Sequence, residues 1–465
     1  MYDTLGAMAR RMVLRNFRVV DENTDMTGSV LIEDGIIREV SAGAVDDGAA
    51  AVIIDGRELL SGQSDAESPP LLMPAFIDLH AHFRDPLSGK NLPPETIESA
   101  CLAAAAGGFG TVVCMANTKP PVDTAEKALV LKKRSDALGL IDLYPVLSLT
   151  KNMEGKELSG ITGLRPCADP RRTAGEGTYV PLMLSEDGRD VHDGGLFLAA
   201  MKEARRLGIP VSCHCDAGGA EAEEAKAAGK PRAVWSRIEE NNAVRRAIET
   251  GREAGCHVHI AHVSTGEAAE MIRRAKASAG RNGTGFTLTA EAAPHHIALT
   301  EEDAERLGGE SFGRVNPPLR TEADRQALIA AIVDGTIDAI AADHAPHSET
   351  DKEGGAPGFT GLETSFAVCY TELVLPAPAG ACIGASRLSA LMSAAPARIS
   401  GLGDRGRIAA GFRADLAIAG INSPWEINAG GFKSRGKNTP FAGRKLHGRI
   451  LMTIHQGRVV YEGGC

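Results

Sequence analysis

The sequence predicts an α/β protein: a (β/α)8 TIM-type barrel with a small β domain formed by both chain ends. Three observations predict it. Between Leu71 and about Ser400, short apolar runs alternate with Ala-, Glu- and Arg-rich stretches of helical period, the rhythm of repeated strand–helix units around a parallel sheet. Eight such runs can be counted, the number that closes a barrel. Outside that span, at both ends, strand-and-turn patterns take over.

In chain order, residues 12–60 read as short strands and turns. Val13–Val20 is extended, and Ser29–Ile37 holds two apolar runs around Asp34-Gly35, a strong hairpin signal. Residues 61–70 form a polar, proline-containing link. The eight barrel candidates are Leu72–His80, Thr111–Met115, Ile141–Leu147, Tyr179–Leu184, Pro210–His214, Val258–His262, Phe286–Glu291 and Ile337–Ala342. Helical patterns lie between most of them, as at Leu196–Leu207, Arg237–Ala254 and Glu322–Asp334. After Ala394-Ala395-Pro396, strand-like runs return at Asp415–Ala419, Arg449–Ile454 and Val459–Tyr461. Residues 12–70 and 401–463 are therefore expected to form one composite β domain, and residues 71–400 the barrel.

Composition limits what such a barrel can bind. The 465-residue chain carries 50 basic and 60 acidic residues and a net charge of −10, which opposes general affinity for nucleic acid or anionic membrane. A small anionic substrate answers to the local field of its pocket and remains compatible. No run approaches the ~18 apolar residues needed to span a bilayer, and Met1–Arg11 lacks the apolar core of a signal peptide. Nine cysteines, an odd number in no paired framework, read as reduced thiols of a cytoplasmic protein. Cys213 and Cys215 flank His214 and, by the two-residue period of a strand, face away from it.

The chemistry-bearing residues cluster at strand ends. In a parallel barrel, the C-terminal ends of the strands and the loops after them converge on one mouth. The first candidate ends in Asp78-Leu79-His80-Ala81-His82-Phe83-Arg84, where His80 and His82 share a face. The fourth leads into Ser185-Glu186-Asp187-Gly188, the fifth ends at His214, the sixth at His262, and the eighth meets Asp343-His344-Ala345-Pro346-His347. Four histidines and two aspartates would meet there, a donor set suited to Zn²⁺ or a similar divalent ion. Singly, each has an ordinary explanation: a core histidine, a turn aspartate at Asp187, a helix cap at Asp343. Their joint placement at five strand ends on one side does not. His257 and His259 read as lying on the same face as His262 but deeper, His295 and His296 as supporting residues, and His192, His447 and His455 as packing or surface residues.

At these residues the sequence resembles bacterial class I dihydroorotases of the amidohydrolase superfamily, over nearly the whole chain. The resemblance rests on Asp78–Pro86, Thr111–Pro121 (with Ala116 where proline is usual), Glu186-Asp187-Gly188, His259–Thr265, Asn316-Pro317-Pro318-Leu319-Arg320 and Asp343–His347. It implies metal ligation by His80, His82, Asp187, His214, His262 and Asp343, with one or two Zn²⁺ ions per chain. It implies substrate contacts from Arg84, Asn117, Asn316 and His347, with His347 as a donor and Ala356–Gly361 as a substrate loop one residue shorter than usual. Many relatives bridge two metals with a carboxylated lysine, but no lysine lies in Tyr179–Gly188, which leaves an Asp187 bridge or a single metal.

The implied reaction interconverts dihydroorotate and N-carbamoyl-L-aspartate in pyrimidine synthesis, with Asp343 taking the proton of the attacking water and returning it to the ring nitrogen. Arg84 would grip the substrate carboxylate with a planar fork, the competing expectation being a salt bridge to Asp78 or Asp85. Three other readings compete. Hydantoinases, dihydropyrimidinases and allantoinases act on related rings, some dihydroorotase-like chains are non-catalytic partners of aspartate transcarbamoylase, and serine or cysteine hydrolases use a covalent route. The last lacks a Gly-X-Ser-X-Gly elbow ahead of a helix. Assembly as a homo-oligomer, or with that transcarbamoylase, is compatible with the resemblance.

Overall fold

Eight short parallel strands stand at the centre of the molecule, each too short to be stable alone and each buried on both faces. The computed structural model describes residues 11–46, 48, 52–60, 68–85, 94–166, 179–216, 219–279, 285–375 and 383–463. The segment before Arg11, most of the 61–70 link, Pro86, Cys167, Cys382 and Cys465 lie outside them. Strands Phe76–Ala81, Phe109–Cys114 and Asp142–Pro145 form one parallel sheet, and Leu184–Ser185, Val211–Cys213, His257–Ile260, Thr287–Ala292 and Ala339–Ile340 form a second. Parallel bridges Leu147–Leu184 and Ala81–His344 join the two into a closed ring. Closure removes exposed strand edges.

Helices lie between the strands, with ends that the local sequence explains. Gly194–Leu207 starts at Asp193, whose carboxylate accepts from Leu196 N, and stops at Gly208 in the left-handed conformation. Arg232–Ala254 and Glu322–Val333 match the remaining periodic stretches within a few residues, the former starting a turn earlier than its apolar pattern does. Among the described residues no helix is long and apolar enough to cross a membrane.

Strands from both chain ends build an eight-stranded sheet beside the barrel. Its order runs from Arg458–Glu462 through Arg449–His455, Leu416–Gly420, Leu71–Pro74, Arg11–Val20 and Asp25–Glu33 to Ile36–Ser41, with Val52–Asp55 also paired to Arg11–Val20. The hairpin turns at Asp34 (φ 49°) and Gly35 (φ 77°), as its sequence predicts. Met12, Leu14, Phe17, Val30, Ile32, Leu416, Ile418 and Ile454 form the apolar core under this sheet, separate from that of the barrel.

Two strand expectations are corrected. Leu72–His80 is not one strand: Leu71–Pro74 pairs in the small sheet and Phe76–Ala81 in the barrel. The chain changes partners after Pro74, and Ala75 N donates to Asp415 O (2.8 Å). Tyr179–Leu184 shrinks to Leu184–Ser185, because Pro181 has no N–H for a ladder and the preceding stretch packs without pairing.

A buried charge cluster fastens the sheet to the barrel. Arg413 Nη1 lies 2.7 Å from Asp142 Oδ2 and its Nη2 2.6 Å from Asp415 Oδ2, while His455 Nδ1 is 3.2 Å from Asp415 Oδ1. Arg405 also pairs with Asp142 and donates to Thr111 Oγ1 (2.9 Å). Removing Arg405 breaks a buried pair and leaves Asp142 to Arg413 as its one remaining guanidinium partner. Arg405→Leu should therefore lower the unfolding free energy by about 3–5 kcal/mol in a denaturant titration. Burial raises the Asp415 pKa, but His455 and Arg413 outweigh it and hold the group at about 2, below its ordinary 3.8. A carboxyl lowered on folding stabilises above its unfolded pKa and ceases to as pH falls through the folded one. The acid-unfolding midpoint should accordingly move to higher pH in Arg413→Leu.

Candidate active site

The strand Phe76–Ala81 is buried throughout, so its polar residues need internal partners. Asp78 Oδ1 accepts from His80 N (3.1 Å) and Ala342 N (3.0 Å), tying the first strand to the end of the eighth. Burial, with Glu291 close by, pushes its carboxyl up to about 8. His80 Nδ1 lies 2.9 Å from Glu291 Oε1, so its proton belongs on Nδ1 and its Nε2 lone pair points into the mouth. His82 is fixed in the same way by Asn117 Oδ1 (2.9 Å).

These two imidazoles meet the carboxylates that follow strands four and eight. His80 Nε2 is 3.1 Å from Asp187 Oδ1 and 3.7 Å from Asp343 Oδ1. His82 Nε2 is 3.4 Å from both Asp187 Oδ2 and Asp343 Oδ1. His214 Nδ1 stands 3.1 Å from Asp187 Oδ1 and 2.8 Å from His262 Nε2, which is itself 3.8 Å from Asp187. The six residues singled out as ligands thus converge, all of them buried. Among the described residues, two sets bring their ligand atoms within 4.8 Å of one another: His80, His82 and Asp343, and His80, Asp187 and His262.

The electrostatics fit a cation. Burial opposes a charge on His80, yet Asp187, Glu291 and Asp343 drive its pKa well above the ordinary value. Burial likewise opposes the charge on Asp187, yet His80, His214 and His82 hold it well below the carboxylate range. Both shifts express one demand for positive charge between them. His80 Nε2 and Asp187 Oδ1 are buried and, though 3.1 Å apart, make no well-aligned hydrogen bond among the described residues, as ligand atoms aimed at an ion would be.

Backbone strain collects here as well. Arg84 (φ 53°), His262 (φ 30°) and Asp343 (φ 45°) all lie at positive φ without being glycine. For His262 this corrects the expected alignment. Strict alternation would turn it away from His257 and His259, and its backbone, leaving the strand, brings the ring back to 5.0 Å from that of His80. Gly188 (φ 82°) is required beside Asp187, since a Cβ there would stand 3.0 Å from Asn117 Nδ2.

The amidohydrolase family matches residues 71–460, a span containing the whole cluster. The chain belongs to this family, among its dihydroorotases. A dihydroorotase of Clostridium botulinum (strain Eklund 17B / Type B) is 36% identical over 452 residues, covering 97% of this chain and 99% of that protein. One of Lactiplantibacillus plantarum is 35% identical over 398 residues, covering 83% and 86%. Among solved structures, an L-hydantoinase (dihydropyrimidinase) from Arthrobacter aurescens superposes with a TM-score of 0.79 at 25% identity, covering 97% of this chain and 96% of that one. A dihydropyrimidinase from Brevibacillus agri NCHU1002 gives 0.78 at 20% identity, covering 97% and 95%, a likeness of fold alone. The expected barrel with its β domain is the fold of these amidohydrolases.

The remaining predicted residues ring the cluster of this amidohydrolase. Arg84 makes no hydrogen bond or ion pair among the described residues, and its Nε is buried. Neither competing salt bridge forms: Asp85 pairs with Arg134 (2.9 Å), and Asp78 serves backbone N–H groups. Asn316 Nδ2 approaches His214 Nε2 (3.2 Å), while its Oδ1 accepts from Arg232 Nη2 (3.2 Å). Asn117, expected at the substrate, has its oxygen engaged by His82 and its Nδ2 3.3 Å from Asp187 O. His347 Nε2 donates to Pro357 O (2.9 Å), so Nδ1 is left as an acceptor and the expected donor role is reversed. Burial, then the neighbouring Arg84, push its pKa down to about 3, keeping the ring neutral.

Two other parts of the motifs are structural. Glu186 accepts from Leu149 N (2.8 Å) and Thr150 N (3.0 Å), and Arg320 pairs with Glu240 (3.0 Å). The six described cysteines are buried and free, and for Cys213 and Cys215 burial pushes the thiol pKa well up, consistent with a packing role.

Sequence reasoning missed Glu291 and Asp216. Glu291 bridges His80 Nδ1 and His259 Nε2 (3.0 Å), and Asp216 Oδ2 lies 3.1 Å from His214 Nε2. A signal for Glu291 existed, since a carboxylate closing an apolar barrel strand must have a buried partner. Glu291→Gln keeps the shape but weakens the hold on His80. It should weaken metal retention by about 10–100-fold in competition with a chelator, with little change in circular dichroism.

Proposed function

We propose that the chain is a metal-dependent dihydroorotase, interconverting dihydroorotate and N-carbamoyl-L-aspartate in pyrimidine synthesis. The observation that carries the reading is the unpaired Arg84 guanidinium two residues beyond His82, beside a cluster of imidazoles and carboxylates. A half-buried guanidinium that no carboxylate pairs with among the described residues is a receptor for a substrate carboxylate, bound by both arms of its fork.

His80, His82, Asp187, His214, His262 and Asp343 would hold the ion, and their nitrogen and oxygen donors support zinc, one or two ions per chain. Bound there, zinc would supply Lewis acidity and lower the pKa of water from 15.7 towards about 7. Asp343 then takes the proton of the attacking water and returns it to the ring nitrogen as the amide bond breaks. Ring closure runs the same transfers backwards. His82, His80 and His262 hold the Asp343 pKa below the carboxylate range against burial. Arg84 fixes the substrate by its carboxylate, Asn316 offers an amide, and neutral His347 accepts a ring N–H at Nδ1. Asn117 acts chiefly by orienting His82.

A second reading, hydantoinase-type opening of a ring without a carboxylate, is favoured by the structural likeness to the Arthrobacter aurescens enzyme. Arg84 weighs against it. Assembly as a homo-oligomer or with aspartate transcarbamoylase belongs to the same proposal, and light scattering of the chain with and without that partner tests it.

Purified protein loaded with zinc should open dihydroorotate far faster than hydantoin or allantoin, and a preference for either of the latter would overturn the assignment. Arg84→Met should lower kcat/KM for dihydroorotate by about 10²–10³-fold, the loss of two charge-assisted hydrogen bonds, and leave residual hydantoin turnover unaffected. Asp343→Asn should lower kcat by about 10²–10⁴-fold while the protein still melts cooperatively.

A further inference from the structure

One buried charge lies outside this chemistry. Lys352, on the short helix Glu349–Glu353, is fully buried, and no carboxylate lies within ion-pair distance of it among the described residues. Its Nζ donates to three backbone carbonyls: Arg314 O (2.8 Å), Ala356 O (2.9 Å) and Gly358 O (3.0 Å). An ammonium has three N–H groups, and all three are used. The ring of Phe359 lies 5.2 Å away.

Those carbonyls belong to the two loops that flank the proposed ring site. Arg314 stands two residues before Asn316 on the loop after strand seven. Ala356 and Gly358 bracket Pro357, whose carbonyl holds the His347 ring. We infer that Lys352 is a positioning residue that pins the Ala356–Gly361 loop to the Asn316 loop, so that His347 and Asn316 keep a fixed separation across the pocket. This rests on the proposed roles of those two residues in dihydroorotate binding.

Two further observations support a pin rather than a filler. Burial, with Arg314 nearby, lowers the lysine pKa to about 8, so the site keeps a charge that its surroundings disfavour. The same loop is clamped from its other side by Asn438. Asn438 Oδ1 accepts from His347 N (3.0 Å) and Thr360 Oγ1 (2.7 Å), and its Nδ2 donates to Ala345 O and Gly358 O (both 3.1 Å). Gly358 is pressed between these holds, where a Cβ would lie 2.4 Å from Ala345 Cβ. A loop held by two polar anchors has a defined conformation before substrate arrives, which reduces the entropy lost on binding.

The test is Lys352→Met in the full-length, zinc-loaded protein, with Lys352→Gln (which keeps a shorter donor) and Asn438→Ala as companions. Amide exchange in residues 312–318 and 353–361 should accelerate at least about ten-fold in Lys352→Met and remain at wild-type rates in the barrel strands. KM for dihydroorotate should rise about ten-fold or more, with kcat within about three-fold and zinc content unchanged. Lys352→Gln should fall between wild type and Lys352→Met. Should Lys352→Met not fold, the same comparison is made with Lys352→Gln and Asn438→Ala. Wild-type exchange in both loops together with an unchanged KM would overturn the pin, as would a loss confined to kcat. If the wild-type enzyme does not turn over dihydroorotate, the functional reading fails by itself, and loop exchange alone then decides whether Lys352 is a pin.

Discussion

The mouth of the barrel is governed by one electrostatic constraint: the lone pairs of four imidazoles and two carboxylates converge within a few ångströms, away from water. Such a group is unstable unless positive charge lies among it. The demand shows in the pKa of His80, driven up against the cost of burial, and in that of Asp187, driven down against it. It also explains why the surroundings are rigid. Donor atoms aimed at a common point need their rings locked, and Glu291 and Asn117 lock His80 and His82 by their outward nitrogens.

The residues that aim the donors also help close the barrel. Asp78 bonds the eighth strand's end to the first, and Glu291 spans from the seventh strand to the first and sixth through His80 and His259. Fold and site therefore share parts. A protein whose ligands hung from loops could lose them without loosening its core. Here the candidate ligands cluster at strand ends, and the strain at His262 and Asp343 is supported by the ring of strands beneath.

Much of this was legible in the chain because the two dominant signals are periodic or local. Apolar runs separated by helical stretches give the barrel, Asp34-Gly35 gives the hairpin, and His80-Ala81-His82 gives two donors on one face. The rest depends on partners distant in sequence. Leu71–Pro74 and Phe76–Ala81 read as one apolar run, and only the pairing of each half assigns them to different sheets. Asn117 looks like a free amide until His82 is placed 2.9 Å from it, and His347 like a donor to substrate until the Pro357 carbonyl accepts its N–H. Lys352 and Asn438 carry no local pattern, because what they hold is backbone, and backbone carbonyls are invisible to side-chain motifs.

Division of labour between strands and loops explains why likeness of fold and choice of ring can diverge. The fold superposes on the L-hydantoinase from Arthrobacter aurescens with a TM-score of 0.79, and the proposed water-activating cluster would be indifferent to which ring amide is presented. Discrimination must come from groups that touch the rest of the ring, and those proposed for it lie on the loops: Arg84 after strand one, Asn316 after strand seven, His347 after strand eight. Loops are softer than strands, so a selective site built on them needs its own anchors. In the proposed reading the guanidinium of Arg84 makes the choice of a carboxylate, but that choice has value only if the opposite wall stays at a fixed distance. Holding that wall costs a buried ammonium saturated by carbonyl oxygens, a local loss of stability placed where it sharpens recognition rather than where the core could have avoided it.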